Sequence, residues 1–188
     1  MLEVTIPEAA ISEVFGDPSS GRTSLVLTEV ARATHAGKIC AWVDTSDALD
    51  IGSAVRAGVV LDNLIWVRCG GNLRHAMKAV DLLLHGGGFG LLALDIAGLT
   101  PRQLNRIPLS YWYRFRLAVE HTPSSLLVLT DVPLARNTAA LTLEMKKDEA
   151  VWSGSSSDFQ LLRALRFQMI MRRGVRMGLS GQRGEAVA

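Results

Sequence analysis

The chain has 188 residues, of which 48% are hydrophobic and 20% charged, with a formal net charge of +2. That is one globular domain with ample material for a core, and a charge too small to argue for nucleic acid by itself. No apolar run reaches the ~18 residues of a membrane span, no charged-then-apolar leader opens the sequence, and Cys40 and Cys69 sit in apolar strand-like segments, so buried free thiols in a cytoplasmic protein are expected. Short apolar runs then alternate with amphipathic stretches, the pattern of a mostly parallel sheet flanked by helices. Ile11 to Phe15 is a predicted strand and Thr23 to His35 a helix ended by Gly37. Ile39 to Val43 is a strand closing on Asp44, Asp47 to Ala57 a helix stopped by Gly58, Leu64 to Val67 a strand and Leu73 to Leu84 a helix. Leu91 to Leu94, apolar throughout and ending on Asp95, has the form of a strand buried on both faces. A helical stretch from Pro101 is broken at Pro108 and ends before Pro123, and Ser125 to Thr130 is a further strand. Thr138 to Lys146 alternates with a period of two, as an edge or half-exposed strand does.

The remainder differs in character. Residues 1–152 form the expected core, and 153–179 a linker followed by an arginine-rich amphipathic helix. Within that segment Ser153 to Ser157 is the joint and Asp158 the N-cap. From Phe159 to Met177 there is no acid, while Phe159, Leu162, Leu165 and Met169 share one helical face among Arg163, Arg166, Arg172, Arg173 and Arg176. Three roles fit this helix: binding DNA phosphates, docking on a protein partner, or covering the domain's own sheet. The candidate partner-binding residues are Phe159, Leu162, Arg163, Arg166, Arg172 and Arg173. Residues 180–188, small and polar, are expected to be disordered.

The chemistry concentrates between Gly16 and Ser24. Gly16-Asp17-Pro18-Ser19-Ser20-Gly21-Arg22-Thr23 satisfies a phosphate-binding loop, G-x-x-x-x-G-K-[ST], except that Arg22 stands where lysine belongs. Such loops need glycine so that backbone N–H groups can turn inward around phosphate oxygens. Lysine supplies a slim ammonium to the outer phosphates, and the following hydroxyl holds magnesium. Arginine keeps the charge but is planar, forked and bulkier. The candidate phosphate-binding residues are Gly16, Asp17, Ser19, Ser20, Gly21, Arg22, Thr23 and Ser24. Thr23 and the strand-end Asp95 are the candidate magnesium ligands. ATP and magnesium, weakly bound, are the expected cofactors, and no residue is assigned a catalytic role. The aromatic block Tyr111 to Arg116 fits a core helix, a partner surface or a nucleic-acid stack, and the four histidines lack a metal-ligand spacing.

The loop resembles that of RecA recombinases. The resemblance continues collinearly through Gly37 to Asp44, Asp47-Ala48-Leu49-Asp50, Gly58-Val59, Asp62-Asn63-Leu64, Leu94-Asp95 and Leu99-Thr100-Pro101, over roughly Ile11 to Lys147. It implies a RecA-like P-loop core, a twisted and mostly parallel sheet wrapped by helices. It also marks departures. The family's water-activating glutamate aligns with Ser46, beside a shorter Asp47 expected to point elsewhere. Its adenine-stacking tyrosine aligns with Ser53, the serine after the strand-end aspartate with Ile96, and its γ-phosphate-sensing pair with Thr130 and Asp131. There is little room for the family's two DNA-binding loops. A core with these losses resembles the ImuA-type accessory proteins of SOS mutagenesis, which support ImuB, an inactive Y-family polymerase homologue, and an error-prone polymerase. The resemblance implies an adaptor in DNA-damage tolerance and translesion synthesis with weak or absent ATP turnover. Two alternatives stay open: a DNA-dependent ATPase of recombinational repair, and a SulA-type inhibitor of cell division, which a nearly intact glycine loop disfavours.

Overall fold

The computed structural model describes residues 4–153, 161–174 and 182–187. Its strands are β1 (Ile11–Gly16), β2 (Cys40–Asp44), β3 (Leu64–Arg68), β4 (Leu91–Asp95), β5 (Ser125–Thr130), β6 (Ala139–Ser153), β7 (Leu161–Arg173) and β8 (Gln182–Val187). They form one sheet in the order β3-β2-β4-β5-β1-β6-β7-β8. Pairing is parallel from β3 across to β6 and antiparallel between β6, β7 and β8. The helices are α1 (Arg22–His35), α2 (Ile51–Arg56), α3 (Leu73–Gly86), α4 (Pro101–Leu104) and α5 (Leu109–Glu120).

Every residue of β2, β4 and β5 is buried, which their unbroken apolar runs require once helices cover both faces. The two-residue strand period divides them between two cores. Leu91, Ala93, Leu127 and Leu129 pack with Leu25, Val26 and Val30 of α1. Leu92, Leu94, Leu126 and Val128 pack with Met77 and Val80 of α3 and Trp112, Phe115 and Val119 of α5. The aromatic block is thus chiefly core on its inner side: Trp112 and Phe115 meet edge to face, while Arg114 and Arg116 pair outward with Asp81 and Glu120. Both cysteines are free and buried, and burial pushes the Cys40 thiol up to about 11.

The helix expected over 47–57 is shorter. Asp47 takes a left-handed backbone conformation, and Asp50 caps the helix by accepting from Ser53 N. Pro108 does divide the next stretch, and Thr100 and Gln103 form a reciprocal capping box at the start of α4.

The C-terminal expectations change most. Of the two readings for β6, the edge strand is excluded, since it lies between β1 and β7, and the half-exposed strand holds, with Leu141, Leu143 and Met145 buried and Ala140 and Lys146 exposed. The arginine-rich segment is not a helix over residues 161–173 but β7, antiparallel to β6. Its alternation decides the matter. Phe167 and Met169 are buried and Met171 packs against the same core, whereas Arg166, Gln168 and Arg172 are exposed on the other face. β6 supplies the open hydrogen-bonding edge and the acids, because Arg166 pairs with Glu149 and Arg172 with Glu144. Arg173 donates to Arg136 O and Asn137 Oδ1 at 2.8 and 2.9 Å. Of the other partner-binding candidates, Leu162 and Arg163 fall within β7, and Phe159 lies outside the described residues, as do Arg176 and the joint after Ser153. Residues 182–187 of the expected disordered tail form β8 on the outer side of β7.

This hairpin reaches the glycine loop. A Cβ on Gly21, where φ is +85°, would stand 2.7 Å from the Phe167 ring. Gly21→Ala should therefore combine backbone strain with a clash, and Phe167→Ala should cost about 3–5 kcal/mol as a buried aromatic truncation. In the double variant the clash disappears, so denaturant unfolding is expected to show a total smaller than the two single losses added. Strict additivity would mean that the ring does not rest on the loop.

Candidate phosphate-loop site

β1 delivers the chain to the loop at Gly16, whose φ is +156° and where a Cβ would collide with the carbonyl of Met145 on β6. Ser19 and Gly21 both have positive φ, and Ser20 N donates to Asp17 O at 3.2 Å, closing a tight turn into α1. Asp17, Ser19, Thr23 and Ser24 are exposed around it, and the start of α1 directs free N–H groups toward the loop. The Ser20 hydroxyl is buried without a partner among the described residues. The backbone therefore retains the form of an anion cradle.

Arg22 does not extend out of that cradle. It is 8% exposed, and its Nη1 donates to Gly16 O and to Thr130 O at 3.2 Å while pairing with Asp131. The other oxygen of Asp131 accepts from Gly98 N at 2.9 Å. One guanidinium thus joins the ends of β1 and β5, and its carboxylate partner joins them to the turn after β4. A permanently charged group placed beneath a loop must be paired, and Asp131 meets that need. The two residues at the family's sensing positions are both committed, since Thr130 Oγ1 donates to Val132 O at 3.1 Å.

Asp95 stands at the end of β4, beside Asp44 across the β2–β4 pairing. It is 8% exposed and accepts from Ala97 N at 3.0 Å. Burial above all, then the Asp44 and Asp131 charges, raises its carboxyl to about 7, with Ala97 N and Arg22 opposing. Asp44 is occupied by Ala48 N, Leu49 N and Trp66 Nε1 at 2.9–3.1 Å. No hydrogen bond joins Thr23 to Asp95 among the described residues.

Ser46, which the resemblance aligns with the family's water-activating glutamate, is exposed. Asp47 is no substitute, because its carboxylate pairs with Arg68 at 3.1 Å. Ser53 accepts from Arg56 on α2, and Ile96 is fully buried in the core. The loop backbone fits a phosphate group; the side chains around it do not fit a magnesium-assisted attack of water.

Three participants escaped the sequence reading. Asp131 as the partner of Arg22 lies 109 residues away, and its only signal was that both positions depart from the loop family's pattern. Phe167 closes over Gly21 from a segment read as helix. Glu13, buried on β1, accepts from Leu134 N and Ala135 N at 2.6 and 3.0 Å and so fastens the segment after Asp131; burial raises its carboxyl.

Asp131→Asn keeps the size and removes the charge, leaving Arg22 paired only with carbonyls. A loss of about 1–3 kcal/mol is expected in denaturant unfolding, and a smaller loss when Arg22→Met is already present. For Asp95 the raised carboxyl means that the folded state binds the extra proton between about pH 4, the unfolded value, and about pH 7. Stability from this group therefore falls as pH rises through that window. Asp95→Asn should gain melting temperature over the parent chain between about pH 5 and about pH 8, and a difference independent of pH would contradict the assignment.

Residues 3–106 match the RecA N-terminal domain family. Over 98 residues, 52% of this chain, it is 42% identical to Protein RecA of Streptomyces coelicolor and 37% identical to Protein RecA of Sulfurimonas denitrificans. Those alignments span 26% and 28% of the relatives, so the chain matches only about a quarter of their length. The RadB recombinase structure superimposes with a TM-score of 0.66 at 16% identity, covering 96% of this chain and 87% of that one. A KaiC-like protein of Pyrococcus horikoshii gives 0.63 at 11% identity, covering 97% and 91%. The sequence match ends after α4, while the likeness of fold continues through β5 and β6. By its loop, its strand order and the match across β1 to β4, the chain belongs to the RecA N-terminal domain family.

Proposed function

We propose that this chain is a non-recombinogenic RecA-family adaptor in DNA-damage tolerance, with little or no ATP turnover. The observation that carries the reading is the Arg22–Asp131 pair. The cation that would serve the outer phosphates is held down by three protein oxygens, and one of the phosphate-sensing positions supplies the carboxylate. Ser46 adds the loss of a base for water, a term worth orders of magnitude in rate. An ImuA-type role, with an ImuB-like polymerase homologue and an error-prone polymerase as partners, follows from the resemblance in these losses. Arg166 and Arg172 already face Glu149 and Glu144, which weakens the arginine-rich segment as a DNA surface. A second reading, a phosphate or nucleotide held without turnover, is favoured by the unpartnered Ser20 hydroxyl in the cradle.

Titration with ATP and magnesium while following thermal unfolding separates these. A ligand at 100 times its dissociation constant stabilises the fold by about 2.7 kcal/mol. No shift at millimolar ATP is expected for the adaptor with an inert loop, and a shift without hydrolysis for the static site. Hydrolysis stimulated by single-stranded DNA and abolished by Arg22→Ala would overturn both.

A further inference from the structure

A second cationic surface lies away from the loop, and three of its cations, Arg74, Lys78 and Arg106, stand outside every ion pair among the described residues. Residues 63–119 contain seven arginines and lysines against two acids, Asp81 and Asp95, in a chain whose total is only +2. Asp95 is buried, Asp81 borders the groove but bonds Arg114 at 2.6 Å, and Asp47 and Glu120 pair with Arg68 and Arg116, which leaves Arg74, Lys78 and Arg106 without an acid among the described residues. Between the β3–α3 turn and the α4–α5 connection lies a cavity of about 620 Å³, bordered by Arg74 and Arg106. A second, of about 360 Å³, bordered by Arg74 and Lys78, shares Asn72, Arg74 and Tyr111 with it, so the two form one groove. Arg74, Lys78 and Arg106 are exposed, and none makes an ion pair among the described residues. The larger cavity also has apolar walls, including Met77, Ile107 and Tyr111.

We propose that this groove docks an acidic segment of a partner protein, with carboxylates on Arg74, Lys78 and Arg106 and an apolar side chain in the cavity between them. Charge complementarity selects an acidic occupant, and the cavity walls select a peptide. Single-stranded nucleic acid is held by successive aromatic faces, whereas this groove offers Tyr111 alone, with Arg114 stationed 5.9 Å from its ring centre. A cavity of this volume is of the size that buries a ligand group. The proposal supplies the adaptor reading with a docking surface and rests on that reading for its purpose, not for its geometry. Turnover at the loop would overturn the adaptor reading and leave the groove to be judged by peptide binding.

The test is selection of random short peptides displayed on phage against the full chain. The expected result is enrichment of sequences combining Asp or Glu with an aliphatic or aromatic anchor. A synthetic peptide of the selected sequence should then bind about tenfold more weakly to the Arg74→Glu, Arg106→Glu double variant, and more weakly to the parent chain as salt rises. Lys78→Glu serves as a second variant, and melting curves verify that each is folded. Selection without acidic enrichment, or equal binding to parent and variants, would overturn the proposal. So would oligothymidylate binding that depends on Arg74 and displaces the peptide.

Discussion

A guanidinium cannot shed its charge to suit a buried position, so Arg22 must find oxygen atoms, and that requirement organises the functional edge of the sheet. Gly16 O and Thr130 O are available because β1 and β5 are neighbours, and Asp131 completes the set as the chain leaves β5. Asp131 in turn holds Gly98 after β4. The ends of three strands are thereby tied through one cation. In a loop built to meet phosphate, the same cation would be free to reach outward.

The β6–β7 hairpin gives this arrangement its roof. Met145 and Met169 join the core beneath α1, and Phe167 lies against Gly21. Glycine at position 21 therefore answers two demands at once, a left-handed backbone and room for an aromatic ring from a distant strand. Glu13 works from below, fastening the segment that follows Asp131. The loop is thus held by protein contacts at Gly16, Gly21 and Arg22, while Asp17, Ser19, Thr23 and Ser24 stay exposed. Its backbone nonetheless keeps the positive φ at Gly16, Ser19 and Gly21 that such a glycine loop uses.

Much of this was legible in the residues. The alternating runs, the glycine loop, the doubly buried Leu91–Asp95 strand and the split at Pro108 follow from local rules of periodicity, backbone freedom and capping, which operate over a few neighbouring residues. That serine stands at positions 46 and 53, where the resemblance would put a glutamate and a tyrosine, was likewise visible, because residue identity does not depend on the fold. The arginine-rich segment was misread because its apolar residues satisfy both a helical face and, from Phe167 to Met171, a strand alternation. Local pattern cannot choose between these, and the open edge of β6 with Glu144 and Glu149 does.

The sequence by itself determined a parallel α/β core and the family of its loop. Only the tertiary structure decided what became of Arg22, because its fate depends on a carboxylate more than a hundred residues away. Only the tertiary structure also distinguished Arg166 and Arg172 of β7, which face acids on β6, from Arg74, Lys78 and Arg106, which face an open groove. Charge is a property of sequence, but whether a charge is spent depends on which elements the sheet brings side by side.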